Sequence, residues 1–532
     1  LAVMLSGTAG AQDSAAIKAI NARSLAKHIK VLASDAFEGR KPFTRGEDST
    51  IQYLAAQFKQ LGLRPGNGNS YFQEVPMVSI NSVPGNRLVV KGAKGEISLQ
   101  YLNDFVAVSS RVQEHVAVNS SELVFAGYGI VAPEYNWNDY KGLDVKGKTV
   151  IVLVNDPGFA DSVLFKGHVM TYYGRWTYKY EEAARQGAAG VIIIHETAAA
   201  SYPWKVVRGG WSGSRMQLQT PDNNSNRCAL EGWITLDAAG KIFRLAGVSP
   251  DIMEKARTKG FKPVDLHLQT SLEIKNKIKR STSHNVLAIL PGTKRPQECV
   301  VYSAHWDHFG IGEPVSGDSI YNGAVDNASG TAGLLTLAAA FTRLPQPPAR
   351  SVLFLSVTGE EQGLLGSEYY VTHPAFAIEK TAADINLDVL NTFGRTKDIT
   401  VIGYGQSELD EYAQRAAARQ GRIAVPEANP EGGWFFRSDH FNFAKKGVPG
   451  LYIGAGTDAI GHTKDWGKEQ VAAYTRLRYH SPADEFDPAT WVMDGMTEDV
   501  RLLFDAGYHL ANESSFPEWK KGSEFKDRTS VV

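Results

Sequence analysis

The chain has 532 residues, and its 56 Lys+Arg against 57 Asp+Glu give a formal net charge of −1. At roughly 150 residues per domain this length predicts about two to four domains, and the charge balance excludes both an electrostatic footprint for nucleic acid and polybasic attachment to a membrane. Hydrophobic residues at 43% and aromatics at 10% exclude wholesale disorder. No apolar run approaches the ~18 residues of a membrane span. Two cysteines, Cys228 and Cys299, rule out a disulfide scaffold or a Cys-rich zinc module and allow one disulfide at most.

Residues 1–11 read as the end of an apolar segment closing on Ala9-Gly10-Ala11, an A-x-A cleavage pattern, so the chain is expected to be exported, periplasmic or secreted. Two amphipathic helices follow. In the second, Ile51, Leu54, Ala55, Phe58 and Leu61 recur at helical spacing and Gly62 supplies the stop. From about Glu122 the texture becomes β-rich, with a strand at 149–154 and a helix over 181–190 that runs into the strand 191–194. A basic stretch at 275–280 leads to a new strand at 284–290. Strands at 299–303, 351–357 and 383–390 then alternate with helices, including a small-residue helix over 327–344. Apolar strands alternating with helices predict an α/β fold with a mostly parallel sheet flanked by helices. The charged residues from 518 onward are expected to fray.

In such sheets ligands sit beyond the carboxyl ends of strands. Those positions carry Ala304-His305-Trp306-Asp307-His308, Asp326-Asn327, Gly359-Glu360-Glu361, Asp388 and Tyr479-His480-Ser-Pro-Ala-Asp484. Imidazole and carboxylate ligands without thiolate suit zinc, and less often cobalt or manganese. Taken singly, each residue would be a hydrogen-bonded core histidine, a helix cap or a solvated pair; their ordered recurrence is what points to metal. Five candidate ligands, His305, Asp326, Glu361, Asp388 and His480, exceed the needs of one tetrahedral ion. Two ions about 3.5–4 Å apart with one bridging carboxylate would use all five. Asp326 is the expected bridge, placed at the N-cap of the helix that follows. There is no Gly-x-Ser-x-Gly elbow, Walker loop or His-Glu-x-x-His helix.

Together, Ala-His305-Trp-Asp307, Asn-Gly-Ala-Val-Asp326-Asn-Ala-Ser-Gly, Gly-Glu360-Glu361-Gln-Gly-Leu-Leu-Gly-Ser, Asn-Leu-Asp388 and Tyr479-His480-Ser resemble the motifs of the dinuclear-zinc exopeptidases, which include secreted bacterial leucyl aminopeptidases and glutamate carboxypeptidase. The resemblance covers roughly residues 25–110 and 275–510. Residues 116–275 resemble, through 183–194, the β-rich protease-associated domain inserted in many members. The implied plan is a peptidase domain in two parts, 12–115 and 276–517, an insert at 116–275 and a tail at 518–532.

The resemblance implies two zinc ions per chain, one on His305 and Asp388, the other on Glu361 and His480, with Asp326 between them. It implies Glu360 as general base, Asp307 as the carboxylate that orients His305, Tyr479 as oxyanion donor and Arg437, in Phe436-Arg437-Ser438-Asp439-His440, as a substrate contact. The expected activity is hydrolysis of peptides or small amides at a free N-terminus, because no arginine cluster accompanies the motifs. The alternatives are a carboxypeptidase or dipeptidase of the glutamate carboxypeptidase type, and a non-catalytic binding protein on the same fold. The aromatic stretches 172–180 and 432–436 are open to two uses, packing or lining a substrate cleft.

Overall fold

The computed structural model describes residues 14–526, so the leader expected at 1–11 lies outside the described residues. They form two compact units. One comprises the chain up to Val75, Thr282–Ala428 and the chain from Arg437, and the other Pro76–Ser281 with Asn429–Phe436. The second unit begins well ahead of residue 116, and strand pairing is the reason. Arg87–Gly92 pairs antiparallel with Gly95–Gln100 and with residues 268–271, while Phe105–Val108 pairs with Leu230–Thr235.

In chain order the first unit contains α1 (Ala22–Leu32), α2 (Arg45–Gln60), the end of a long strand β1 (Val264–Leu290), β2 (Arg295–His305), α3 (Gly330–Phe341), β3 (Arg350–Val357) and β4 (Thr381–Asn386). There follow β5 (Asp398–Ile402), α4 (Leu409–Arg419), β6 (Ile423–Pro426), β7 (Gly450–Gly454), α5 (Trp466–Leu477) and α6 (Met493–Asn512). Both early helices are capped by side chains that accept a backbone N–H: Asn21 from Ser24, and Thr44 from Gly46. Their apolar faces are buried, with Leu25, Ile29, Leu32, Leu54 and Phe58 fully covered. Each such side chain contributes about 1.5–3 kcal/mol of burial.

The sheet runs β1-β3-β2-β4-β7-β5-β6. The pairs β3–β2, β2–β4, β4–β7 and β5–β6 are parallel, and β1–β3 and β7–β5 antiparallel. All eight residues of β3 are buried, as a strand covered on both faces requires. Register sets the site: His305 is level with Val357, and Ser303 with Asn386. Three adjacent parallel strands therefore release His305, Glu360–Glu361 and Asp388 at one edge of the sheet.

Several elements depart from their predicted form. The basic stretch and the strand after it are one 27-residue strand, β1. The helix expected at 327–344 starts only at Gly330, after an irregular turn. The helix expected at 181–190 is Trp176–Arg185, ended by Gly187 at φ +78°, and Gly190–His195 is the strand. The tail does not fray as far as it is described. Trp519 and Phe525 are buried and packed on each other, and Trp519 Nε1 donates to Gly447 O. Cys228 and Cys299 are buried free thiols, and burial pushes the Cys299 thiol up to about 12. Among the described residues no helix is long and apolar enough to cross a membrane.

In the second unit, parallel strands Thr149–Leu153, Gly190–His195 and Leu230–Thr235 enclose a core of Val150, Val152, Val191, Ile193 and Trp233. The aromatic stretch packs within this unit: Tyr172 and Tyr173 each meet Tyr178 edge to face at 5.1 and 5.0 Å, and Tyr172 lies 6.4 Å from Phe436.

Alanine for glycine inside a helix ordinarily stabilises by about 0.5–1 kcal/mol. At Gly507 of α6 the sign should invert, because a Cβ there would collide with Tyr302 Oη, which is held by donation to Leu503 O. Gly507→Ala is expected to lose about 1–3 kcal/mol through overpacking. Urea unfolding checks this, and unchanged or raised stability would contradict the packing described.

Candidate metal centre

Asp326 is the hub. Its Oδ1 lies 3.2 Å from His305 Nε2 and its Oδ2 lies 3.2 Å from His480 Nε2, so one carboxylate spans two imidazoles. Asp388 Oδ1 stands 3.3 Å from His305 Nε2, and Glu361 Oε2 stands 3.3 Å from His480 Nε2. All five expected ligands are brought together. Four are almost fully buried, while the His480 side chain is 35% exposed and marks the open side.

Asp326 does not reach this position as an N-cap. It has extended backbone angles (φ −111°, ψ 93°), and the neighbouring Asn327 Oδ1 accepts the Gly330 N–H in its place. Freed from capping, the Asp326 carboxylate turns to the histidines. Both N–H groups of the turn are tied, Val325 N and Asp326 N each donating to a different oxygen of Asp484 at 3.0 Å.

Glu360 Oε2 lies 4.0 Å from His305 Nε2, beside the ligands and outside their spacing. The Asp307 carboxylate is 3.9 Å from His305 Nδ1, and the closer partner of that nitrogen is the Asp307 backbone carbonyl at 3.1 Å. Asp307 Oδ1 instead accepts the Glu360 N–H at 3.1 Å, holding the loop that carries both glutamates. Tyr479 stacks on His480, 3.7 Å between centroids and 24° between planes. Burial, then Asp326, Glu361, Glu360 and Asp388, hold its hydroxyl well above the usual range, so it stays a donor. Arg437 is half-buried at the start of the segment that returns to this unit, and its neighbour Ser438 touches the cluster.

Four participants carry no role in the sequence reading. Ser438 Oγ donates to Asp388 Oδ2 at 2.7 Å and accepts from Asn386 Nδ2 at 2.6 Å. Asp484 ties the Asp326 turn, and His308 Nδ1 lies 2.6 Å from Glu361 Oε1. Arg40, 1% exposed, donates to the carbonyls of Trp306, Leu32, Asn322 and Gly323. Ser438, Asp484 and His308 sit inside the motifs already singled out and could have been found by asking what holds each ligand's second oxygen or backbone. Arg40 could not, since its partners are main-chain atoms.

The electrostatics are those of a cation site. Burial raises Asp307 to about 6 and Asp439 and Asp484 to about 7. Burial and neighbouring carboxylates push Glu360 and Glu361 well above the ordinary value. Asp326 goes the opposite way: burial opposes its charge, but hydrogen bonds from His305 and His480 hold it far below. For His305, burial is overridden by Glu360, Asp388 and Asp326, which raise it. Arg40 is depressed by burial to about 10 even with Asp484, Asp307, Asp326 and Glu361 around it. Buried carboxylates this close cannot all ionise unless cations join them.

The donor set fits such cations. Zinc lies about 2.0–2.2 Å from imidazole N and carboxylate O, so neighbouring corners of its tetrahedron stand about 3.3 Å apart. The four histidine–carboxylate separations of 3.2–3.3 Å match that edge.

Residues 285–504 match the sequence model of Peptidase family M28. The chain is 30% identical over 214 residues to leupeptin-inactivating enzyme 1 of Streptomyces exfoliatus, covering 38% of this chain and 43% of that one. It is 28% identical over 308 residues to a probable leucine aminopeptidase 2 of Aspergillus oryzae, 56% and 55% of the two chains. It is 27% identical over 211 residues to aminopeptidase YwaD of Bacillus subtilis, 39% and 40%. The chain thus spans less than two thirds of these curated relatives. An aminopeptidase structure from Aneurinibacillus sp. strain AM-1 aligns over 94% of this chain and 96% of its own, at 19% identity and TM-score 0.47. The segment that matches the Peptidase family M28 model holds all five candidate ligands, in line with the resemblance read from its motifs.

Outer partners that orient a metal ligand are typically worth 10–100-fold in metal affinity. Ser438→Ala frees Asp388 Oδ2 and is expected to weaken zinc retention by about that range. Competition against a chromogenic chelator measures this; wild-type affinity would show that Ser438 does not position Asp388.

Proposed function

We propose that this chain is an exported zinc-dependent aminopeptidase with two ions per chain, one held by His305 and Asp388, the other by Glu361 and His480, and Asp326 shared. The observation that carries the reading is the Asp326 carboxylate, with one oxygen 3.2 Å from each of two histidines. Bound here, zinc would polarise the scissile carbonyl and lower the pKa of a water molecule in the site.

The chain's own groups supply the remaining chemistry. Glu360, beside the ligand set and shielded from solvent, takes a proton from the attacking water and returns it to the leaving amine. Tyr479 donates its hydroxyl hydrogen to the oxyanion that develops on the former carbonyl oxygen. Asp307 holds the Glu360 backbone while its carbonyl orients His305. Arg437 contacts the substrate.

Charge supports release from the amino end. A free α-ammonium suits a site rich in carboxylate, whereas a terminal carboxylate needs available guanidinium groups. Arg40, the arginine buried nearest the cluster, spends its donors on four backbone carbonyls. In the second unit, the helix Trp176–Arg185 inserted between the first and second strands of a parallel three-strand core supports the protease-associated type of insert.

Leu-, Ala-, Lys- and Glu-anilides beside N-blocked peptides with free carboxyl ends form the deciding panel. Anilide turnover that chelation abolishes and zinc or cobalt restores is expected. Full activity without metal, or preferential release of C-terminal residues, would overturn the reading. Zinc content should separate the ligands: Asp388→Ala empties mainly one position, whereas Asp326→Ala lowers both.

Glu360→Gln keeps size but removes the base, so kcat should fall by at least about 10²–10⁴-fold with zinc content nearly unchanged. A variant that keeps more than about a tenth of wild-type kcat would assign the proton transfer elsewhere.

A further inference from the structure

His308 has no part in the mechanism above, yet it is 1% exposed and lies against the ligands. Its backbone N–H donates to Arg40 O, and its ring meets Phe309 and His480 edge to face at 4.9 and 6.0 Å. Nδ1 is 2.6 Å from Glu361 Oε1, while Nε2 is buried with no hydrogen-bond partner among the described residues. With an acceptor on one nitrogen only, the neutral ring carries its proton on Nδ1 and donates it to Oε1.

The distance separates two roles. Two ligands of one zinc ion stand about 3.3 Å apart, so 2.6 Å between His308 and Glu361 is a hydrogen bond rather than a shared coordination edge. The other oxygen of Glu361, Oε2, is the one at ligand spacing from His480. We propose that His308 is a positioning residue for the second metal position, tying Glu361 Oε1 so that Oε2 alone faces the ion. This rests on the zinc reading above.

The first position is built the same way, with Ser438 tying Asp388 Oδ2 while Oδ1 faces His305. Each terminal carboxylate thus has one oxygen committed to the protein and one left for metal. The fold also makes room for the ring. Gly323, at φ +54°, is where a Cβ would stand 2.6 Å from His308 Cδ2 and Cγ.

The test measures the two zinc affinities of the full-length chain by chelator competition, with cobalt absorption as a second readout. His308→Ala should weaken one of the two affinities about 10–100-fold and leave the other unchanged. His308→Asn, whose amide nitrogen can stand where Nδ1 stood, should recover most of the loss. If His308→Ala fails to fold, His308→Leu against His308→Asn carries the same comparison, and equal losses in that pair would overturn the proposal.

A wild-type chain with two zinc ions and a His308→Ala variant with the same two affinities would overturn the role of His308 alone. A wild-type chain that takes up no zinc would overturn the zinc reading and this role with it.

Discussion

The first unit is organised around an unfavourable act, the burial of many carboxylates with the Arg40 guanidinium near them. Asp307, Asp326, Glu360, Glu361, Asp388, Asp439 and Asp484 are drawn together where water cannot screen them. Arg40 cannot balance them, and it is itself depressed by burial. Such a cluster persists only if the surrounding fold holds it and if its charge is relieved by protons or by cations. The hydrophobic sheet beneath, with β3 buried along its whole length, supplies the rigidity.

Rigidity is converted into geometry by register and by committed oxygens. Adjacent parallel strands deliver a histidine, a glutamate pair and an aspartate at one level. The carboxylates are then aimed: Asp388 by Ser438, Glu361 by His308, the Asp326 turn by Asp484, and the Glu360 backbone by Asp307. Asp326 is the one candidate ligand among the described residues whose two oxygens both stand at ligand spacing from imidazoles of other candidate ligands.

That these five candidate ligands would come together was legible in the sequence because each stands at the end of a strand or in a loop or turn beyond a strand or helix, a position readable from apolar runs. Helper residues were less so. Helix statistics assign an Asp before a small-residue helix to the N-cap, yet Asn327 takes that place because two imidazoles draw the Asp326 side chain away. Arg40 left no trace, since carbonyls of residues 32, 306, 322 and 323 have no side-chain signature. The early start of the second unit was hidden for a related reason: pairing of residues 87–108 with 230–271 is a long-range fact that local texture does not carry. At the tail, a charged composition concealed two aromatics, Trp519 and Phe525, that anchor it.

The spread of the centre along the chain has a consequence for biosynthesis. Its parts lie between Arg40, which locks the loops at 306 and 322–323, and Asp484, which closes the Asp326 turn. A ribosome must add more than a hundred residues after Glu361 before His480 and Asp484 are available. Until then the carboxylates around residue 360 have neither their second imidazole nor their finished turn. If the cluster holds metal as proposed, its two positions can be completed only after residue 484 has been made.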